Sequence, residues 1–230
     1  MKAGFEMQNW NHRNYQRELE QIIDADEKAG IRPRLLIHSC CAPCSSYVLE
    51  YLSRYFDITV YYYNPNIDTK EEYERRTHEL ERLVREMPLS SPVHLEVGAY
   101  EPERFYDAAR GHENDPERGE RCRLCFELRL SEAAKKAAQA DPPFDYFTTS
   151  LSISPMKDAA LLNEIGEREG ARYGVRYLPS DFKKKNGYKR SVELSRAYEL
   201  YRQDYCGCVF SKAQREREKR ELCHETKCGS

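Results

Sequence analysis

The sequence predicts an α/β fold, in which a parallel sheet is flanked by helices and additional helices follow near the C-terminus. Short apolar or aromatic runs alternate along the chain with longer charged stretches of helical character, which is the pattern of βαβ units. The length of 230 residues suits a single domain with a substantial core. With 40% hydrophobic and 33% charged residues, the composition is typical of a soluble globular protein and argues against a disordered chain.

The elements follow one another in a regular order. Residues 14–29 interleave charged and apolar positions and predict a first helix. Five short strands are expected, at 34–38, 58–63, 93–97, 144–149 and 175–178. Ser45 and Ser46 are expected to cap a second helix that ends near residue 54. Further helices are expected at about 70–86, 102–110, 122–140, 158–169 and 188–201.

One edge of the predicted sheet should hold the functional site. Ligands of parallel α/β sheets bind beyond the carboxyl ends of the strands, so the loops after the first, second and fourth strands should converge. Those loops carry Cys40 and Cys41, residues 64–68, and residues 150–157.

The chain has no predicted membrane segment. No run approaches the roughly 18 apolar residues of a transmembrane helix, and the N-terminal residues lack the apolar core of a signal peptide. We therefore expect a cytoplasmic protein without membrane contact, in a compartment where thiols are kept reduced.

The cysteines are grouped. Two of the nine, Cys223 and Cys228, lie near the C-terminus and are expected to be incidental. The other seven form three tight groups: Cys40, Cys41 and Cys44; Cys122 and Cys125; Cys206 and Cys208. In a cytosolic chain such grouping favours metal binding or redox chemistry over structural disulfides.

The first two groups predict a metal site. Thiolates bind soft metals, and four of them satisfy either a tetrahedral zinc ion or a cubane iron–sulfur cluster. Cys122 and Cys125 at a helix start can both reach one metal centre, whereas Cys40 and Cys41 in a turn can ligate different atoms of a polynuclear cluster. The spacing leaves open an iron–sulfur cluster, structural zinc, and redox thiols without metal.

The third group, Cys206 and Cys208, predicts a different kind of site. Sulfurs two residues apart close only a small ring, and Gly207 between them permits the backbone torsions that this ring requires. A disulfide between Cys206 and Cys208 should be strained and easily reduced, as in an electron-relaying pair. The alternative is that both thiols ligate metal.

Other features restrict the function less. Between residues 172 and 190, seven lysines and arginines accompany one acid, Asp181, although the whole chain carries a net charge of −2. This basic stripe is interpreted either as a phosphate-binding surface or as a solvated loop.

The chain has no GxxxxGK[ST] loop, no GxGxxG fingerprint and no HExxH pair. His38 is either a proton donor or a hydrogen-bonded structural histidine.

Eight short motifs together resemble the QueH family of cobalamin-independent epoxyqueuosine reductases. The match runs from about residue 34 to residue 211. The motifs are His38-Ser-Cys-Cys-Ala-Pro43, Tyr62-Tyr-Asn-Pro-Asn-Ile67, Glu72-Tyr-Glu-Arg-Arg76, Arg121-Cys-Arg-Leu-Cys125, Phe147-Thr-Thr-Ser-Leu-Ser-Ile-Ser-Pro155, Asp181-Phe-Lys-Lys184, Gly187-Tyr-Lys-Arg-Ser191 and Tyr201-Arg-Gln-Asp-Tyr-Cys-Gly-Cys208.

The resemblance implies a HUP-type fold, related to PP-loop enzymes, in which the double cysteine replaces the phosphate loop. It also implies a redox-active pair at Cys206 and Cys208, with Cys44 and His38 as further candidates for the active site or for a second, mononuclear iron. The ligands implied for a [4Fe–4S] cluster are Cys40, Cys41, Cys122 and Cys125. No cobalamin is expected.

The implied reaction is the two-electron reductive removal of the epoxide oxygen of epoxyqueuosine at the wobble position of tRNA, which yields queuosine. The expected partners are that tRNA and an external low-potential electron donor. Proton-donor candidates are His38, Asp204 and Tyr205. The residues expected to contact substrate or tRNA are Asn64, Asn66, Ser152, Lys183, Lys184, Tyr188, Lys189 and Arg190.

The resemblance also suggests how the single domain is organised. Residues 1–33 would form an N-terminal helical arm, 34–211 the family core and 212–230 a variable tail. Two other functions stay open: a PP-loop-like tRNA thiolase with an iron–sulfur cluster, which should carry an ATP-binding loop, and a zinc-stapled RNA-binding module.

Overall fold

Five parallel strands form one sheet in the order β3-β2-β1-β4-β5. The computed structural model describes residues 13–227 and the side chains of residues 13–221. The strands are β1 (Arg34–Ser39), β2 (Asp57–Tyr62), β3 (Val93–Val97), β4 (Tyr146–Thr149) and β5 (Arg176–Tyr177). The predicted α/β class with a parallel sheet is confirmed.

Eight α-helices accompany the sheet in the described part of the chain. They are α1 (Tyr15–Lys28), α2 (Ala42–Leu52), α3 (Lys70–Glu86), α4 (Pro102–Ala109), α5 (Glu120–Gln139), α6 (Ala159–Tyr173), α7 (Gly187–Ala197) and α8 (Val209–Lys227). A short 3₁₀ helix at Ser150–Ile153 follows β4 directly. Thr69 and Asp158 cap α3 and α6 with side-chain oxygens that accept backbone N–H bonds.

The start of α2 differs from the prediction. Ser45 and Ser46 do not cap this helix, because it begins three residues earlier, with Cys41 at the N-cap and Pro43 in the first turn. The Ser45 hydroxyl lies 2.6 Å from that of Ser39, and the Ser46 hydroxyl donates to the Pro43 carbonyl at 3.0 Å. Cys44 therefore lies inside the first turn of α2.

Apolar layers cover both faces of the sheet. The larger core cluster joins β1 and β2 to α1, α2 and α3, and it includes Leu19 and Ile23 of α1. On the other face, Ala133, Ala134 and Ala137 of α5 pack beside Leu36 of β1. The predicted N-terminal arm is therefore anchored in the core through α1.

The strand order creates a switch point at β1. The chain proceeds outward from β1 to β2 and β3, and then returns to place β4 on the opposite side of β1. Ligand sites of open α/β sheets lie beyond the carboxyl ends of the strands at such a point. Cys40 follows β1 and Ser150 follows β4, and the Cys40 backbone N–H donates to the Ser150 hydroxyl at 3.4 Å.

None of the helices within residues 13–227 has both the length and the apolar character needed to span a membrane.

Candidate metal and redox site

Three cysteine sulfurs meet at the carboxyl end of β1. The sulfurs of Cys40, Cys41 and Cys44 all lie within 4.8 Å of one another, and those of Cys40 and Cys41 are 3.8 Å apart. Metal–thiolate bonds of about 2.3 Å place two sulfurs on one ion at most about 4.6 Å apart. This trio can therefore bind a metal after only small side-chain adjustments.

Mutual contact separates the acidities of these three thiols. Hydrogen bonds from Cys40 and then Cys44 lower the pKa of the Cys41 thiol. Hydrogen bonding to Cys41 raises the pKa of Cys40 to about 12, and contact with Cys40 raises the pKa of Cys44. The trio thus stabilises one thiolate, and a metal that binds all three sulfurs must displace the remaining protons.

A second pair of cysteines begins α5. Cys122 and Cys125 lie one turn apart, and the backbone N–H of Arg118 donates to the Cys122 sulfur at 3.3 Å. Burial raises the pKa of Cys125 to about 12 and also raises the pKa of Cys122. Both thiols line a small cavity of about 10 Å³ together with Cys206 and Cys208.

The turn at residues 206–208 has the special backbone that the sequence predicts. Gly207 has a φ of +130°, and its carbonyl accepts the Asp68 N–H at 2.9 Å. Cys206 and Cys208 are free thiols in this structure. Cys208 is buried, and its sulfur accepts the backbone N–H of Ser211 at 3.4 Å.

Cys206 borders two cavities. It lines the small cavity and also a cleft of about 650 Å³ that opens beside the first cysteine trio. The cleft is large enough for a bulky small-molecule group or a nucleoside. Its walls include the three cysteines of the trio, residues 151 and 153–157, Tyr188 of α7 and residues 202–206.

Four buried cations surround the cysteines, and one of them, Arg121, donates to the backbone carbonyls of residues 112, 113 and 115. Arg76 donates to Glu72 at 2.7 Å and to the Cys206 carbonyl at 3.2 Å. Lys157, whose side chain is 8% exposed, approaches the Cys206 sulfur at 3.1 Å and Glu117 at 3.4 Å. The remaining cation, Arg129, has no carboxylate partner among the described side chains.

The arrangement fits an anionic metal–thiolate group. Arg129 is 1% exposed, and its Nη2 atom has no hydrogen-bond partner among the described residues. A buried charge without a partner is costly, so the site favours a ligand that carries negative charge. A metal bound by several thiolates supplies that charge, and the cysteines supply soft donors.

His38 of β1 is hydrogen-bonded to β4 and to the residue that follows β2. It is fully buried, with Nδ1 2.9 Å from the Thr149 hydroxyl and Nε2 3.1 Å from the Tyr63 carbonyl. Since a carbonyl only accepts, Nε2 carries the proton and Nδ1 accepts from Thr149. Burial, together with the charge of Arg129, lowers the pKa of His38 to about 3. Both nitrogens are engaged inside the protein, which favours the structural role over proton donation.

Comparison with known proteins identifies the family. Residues 35–214 match the family model described as epoxyqueuosine reductase QueH. The chain belongs to the QueH family.

Several relatives share this match along most of their length. The epoxyqueuosine reductase QueH of Streptococcus pyogenes serotype M1 is 46% identical, over 86% of this chain and 78% of that protein. The protein of the same name from Staphylococcus epidermidis is also 46% identical, over 86% and 84%. That of Thermotoga maritima is 31% identical, over 82% and 95%.

The polar candidates of this QueH-family chain fall into two groups, of which the first is buried at the sheet edge. Asn64 donates to the Ser39 carbonyl at 2.8 Å and accepts from Arg129 at 3.4 Å. Asn66 is 3% exposed and lines the small cavity, where its Oδ1 has no hydrogen-bond partner among the described residues. Ser152 is fully buried and lies 3.0 Å from Ser180, behind the cleft surface.

The second group follows β5, where the basic stripe differs from its appearance in sequence. Acids from other elements neutralise much of it, as Arg190 pairs with Glu50 at 2.6 Å and Lys185 with Glu20 at 2.5 Å. Lys183 pairs with Asp181 at 2.8 Å. Lys184 and Lys189 are exposed, whereas Tyr188 is 39% exposed and lines the cleft.

Sequence reasoning missed the buried cations of the QueH-family site. The detectable signal for Arg129 is its position on α5, because Cys122, Cys125 and Arg129 are spaced i, i+3 and i+7 and share one helix face. A charged residue on the face that carries the cysteines indicates a counter-charge. Lys157 offers no such signal, since it lies in a loop whose path depends on the tertiary structure.

Proposed function

We propose that this chain is an epoxyqueuosine reductase, an oxidoreductase that removes the epoxide oxygen of epoxyqueuosine at the wobble position of tRNA and forms queuosine. One observation carries the proposal. Three separate cysteine-bearing segments and a cleft of about 650 Å³ share the carboxyl edge of the sheet. Redox-capable groups beside an open cleft suit the reduction of a bulky modified base. The names of the QueH relatives support the same reaction.

The chemistry sets three requirements. Conversion of an epoxide to an alkene breaks two C–O bonds and releases the oxygen as water, which consumes two electrons and two protons. The site therefore needs a source of electrons, a group that binds the oxygen, and a proton supply. An external low-potential donor provides the electrons.

The cysteines would hold the electron-carrying group. Cys40, Cys41, Cys122 and Cys125 would ligate a [4Fe–4S] cluster, and Cys44 remains the candidate ligand for an adjacent mononuclear iron. A protein-bound iron–sulfur cluster supplies one-electron transfer at low potential. The Arg129 guanidinium, whose Nη2 atom has no hydrogen-bond partner among the described residues, supports an anionic group at this position. The proposal requires no cobalamin.

The Cys206–Cys208 pair would act as a two-electron store. Oxidation of two thiols to a disulfide releases two electrons and two protons, the number that one epoxide consumes. Burial opposes ionisation of Cys206, but the charges of Lys157 and Arg129 outweigh it and lower the pKa of this thiol. Cys206 would therefore be the member that exchanges electrons with groups in the cleft, and the external donor would restore both thiols.

Polar groups at the cleft would position the base and supply protons. Tyr205 and Asp204 both line the cleft, whereas His38 lies behind it. The Tyr205 hydroxyl donates to Asp68 at 2.9 Å, and burial raises the pKa of Tyr205, so its Oη atom holds a proton at neutral pH. Asp204 pairs with Lys219 at the outer surface.

The test starts with protein purified without oxygen, on which iron, sulfide, zinc and the visible spectrum are measured. About four irons and four sulfides per chain, with absorbance bleached by dithionite, are expected for the cubane. The same sample should convert epoxyqueuosine-tRNA to queuosine-tRNA, measured by mass spectrometry of the released nucleosides. A colourless protein with stoichiometric zinc and no turnover would instead identify a zinc-stapled RNA-binding module.

A further inference from the structure

Arg129 is a buried cation with incomplete pairing. Its Nε donates to the Cys125 carbonyl at 3.2 Å, its Nη1 reaches Asn64 Oδ1 at 3.4 Å, and its Nη2 has no partner among the described residues. Of the three other buried cations at the site, Arg76 and Lys157 each have a carboxylate within 4 Å, Glu72 and Glu117 respectively. The fourth, Arg121, donates to the backbone carbonyls of residues 112, 113 and 115. Arg129 has only neutral acceptors.

The position of Arg129 relates it to all three cysteine groups. It lines the small cavity with Cys122, Cys125, Cys206 and Cys208, and it also lines the cleft that holds Cys40, Cys41 and Cys44. A guanidinium does not lose its proton in proteins, so this charge is permanent. Its field acts on Cys125, Cys206, Cys40 and Cys122.

The unpaired charge destabilises the metal-free protein. Burial without a counter-ion costs free energy, and the thiol form of the cysteines does not supply one. When thiolates hold a metal group, the site carries negative charge and Arg129 gains its missing partner. The same residue thus opposes stability in one state and favours it in the other.

We propose that Arg129 is the internal counter-charge of the cysteine-bound metal group, and that it stabilises the reduced state of that group over the oxidised state. The inference rests on the metal-binding part of the proposed function. One-electron reduction, by dithionite in the test or by the low-potential donor in the cell, adds one negative charge to the site. A fixed positive charge nearby raises the reduction potential, because attraction to the reduced form is stronger.

The test compares Arg129→Gln, which removes the charge and retains an amide donor for Asn64, with Arg129→Lys, which retains a positive charge. The control is Arg123→Gln on the same helix, whose side chain is partly exposed and already paired with Glu120 and Glu127. Each variant is purified anaerobically, loaded with iron and sulfide, and titrated against redox dyes while its visible spectrum is recorded.

The expected result is a lower midpoint potential in the Gln variant. A tenfold loss in the one-electron reduction equilibrium is a shift of about 59 mV, and we expect at least that loss. The Lys variant should keep most of the wild-type potential, and the control should be unchanged. The metal-free Gln variant should also melt at a higher temperature than metal-free wild type, because an unpaired buried charge has been removed.

The midpoint potential and the stability of the metal-free variants together keep the test decisive. If metal-free Arg129→Gln is less stable than wild type and its loaded form keeps the wild-type potential, Arg129 is a structural residue and the inference is wrong. If the Gln variant binds no metal while the Lys variant does, the counter-charge role is supported by loading alone. If wild type itself binds no metal under these conditions, the proposed function fails first, and the inference fails with it.

Discussion

The two thiols of the turn at residues 206–208 lie in different environments. Cys208 is buried and accepts a backbone N–H, whereas Cys206 contacts the Lys157 ammonium and borders the cleft. Thiolates, and not thiols, are the reactive species, so a residue that stabilises one thiolate selects the reactive cysteine. At the scale of single residues, Lys157 makes the pair asymmetric.

Lys157→Met should slow the modification of Cys206. Removal of the ammonium leaves burial as the main influence, so the pKa of the thiol rises and its thiolate fraction at neutral pH falls. We expect severalfold slower alkylation by iodoacetamide in metal-free protein at pH 7.5, and a rate profile displaced to higher pH. Peptide mass spectrometry reports each cysteine separately.

Lys184→Met serves as the control, because Lys184 is an exposed lysine of the neutralised stripe. It should leave the Cys206 profile unchanged. Equal effects of the two substitutions would mean that long-range charge, and not the contact with Lys157, sets the acidity of Cys206.

At the scale of single residues, the sequence identified the candidate metal-ligating cysteines better than the charged residues that contact them. The spacing of Cys122 and Cys125 and the glycine at position 207 are local signals, and the structure places both as the spacing suggested. The Lys157–Cys206 contact joins residues that are distant in sequence, and it exists only because the loop after β4 reaches the turn. No local pattern encodes such a contact.

Secondary-structure elements position these side chains through a few close backbone approaches. Gly207 places its α-carbon beside Arg76 and Asn66, and a Cβ there would lie 3.0 Å from Arg76 Nη1. Gly166 of α6 faces Tyr177 of β5, where a Cβ would lie 2.3 Å from the ring. Each glycine removes a side chain where two elements meet.

Gly207→Ala should strain the turn and disturb the site. A φ of +130° is nearly exclusive to glycine, and occupying it with alanine costs of order 1–3 kcal/mol. We expect a lower free energy of unfolding by urea and reduced iron retention after anaerobic loading. Gly111→Ala is the matched control, since Gly111 also has a positive φ but faces open space. It should lose stability without losing iron, and parallel iron losses in both variants would contradict a local effect.

Gly166→Ala should overpack the contact between α6 and β5. Inserting a methyl group into a filled contact costs typically 1–3 kcal/mol, and we expect that loss in the urea unfolding free energy. Glu164→Ala, at an exposed position of the same helix, should change stability little. Adding Tyr177→Leu to the Gly166 variant should recover part of the loss. If the double variant lost the sum of the stability losses of Gly166→Ala and Tyr177→Leu, the Tyr177 ring would not be the cause of the Gly166→Ala loss.

Element boundaries illustrate what the sequence signals omit. Strand β1 is a clear apolar run, and its predicted start at Arg34 is correct. The predicted serine caps of α2 are wrong because Cys41 and Pro43 start the helix, and the two serine hydroxyls bond within the fold instead. Strand β5 is only two residues long, since Val175 still donates its N–H to Gly170 at the end of α6.

Charge is distributed over the whole molecule differently from its distribution along the chain. Four of the seven basic residues in the stripe at 172–190 pair with acids, three of them with acids from α1, α2 and α6. Two exposed arginines that have no carboxylate partner among the described side chains, Arg118 and Arg202, line the cleft. The folded surface therefore brings positive charge to the mouth of the site.

Binding of tRNA should depend on the cleft arginines more than on the stripe. Each phosphate contact that is lost reduces the salt slope of log affinity by about 1. We expect Arg118→Glu with Arg202→Glu to weaken tRNA binding and flatten that slope, measured by filter binding at several salt concentrations. Lys184→Glu with Lys189→Glu carries the same charge change and should act less. If Lys184→Glu with Lys189→Glu weakened tRNA binding more than the cleft variant, the stripe would be the RNA-binding surface.

The whole-molecule arrangement was predictable in part. Alternating strands and helices predicted the parallel sheet and the edge at which the loops after β1, β2 and β4 converge. The pairing of the stripe was not predictable, because Glu50 and Glu20 belong to helices whose placement depends on packing across the sheet.

The switch point at β1 also has a consequence for how the protein matures. The cysteine groups come from the end of β1, the start of α5 and the turn before α8, so their meeting requires contacts between segments that are far apart in the chain. Contacts between residues distant in sequence form slowly, because the intervening chain must first be ordered. Metal loading is therefore expected to be a late event that acts on an assembled scaffold, and iron uptake during refolding should lag behind the formation of helical structure.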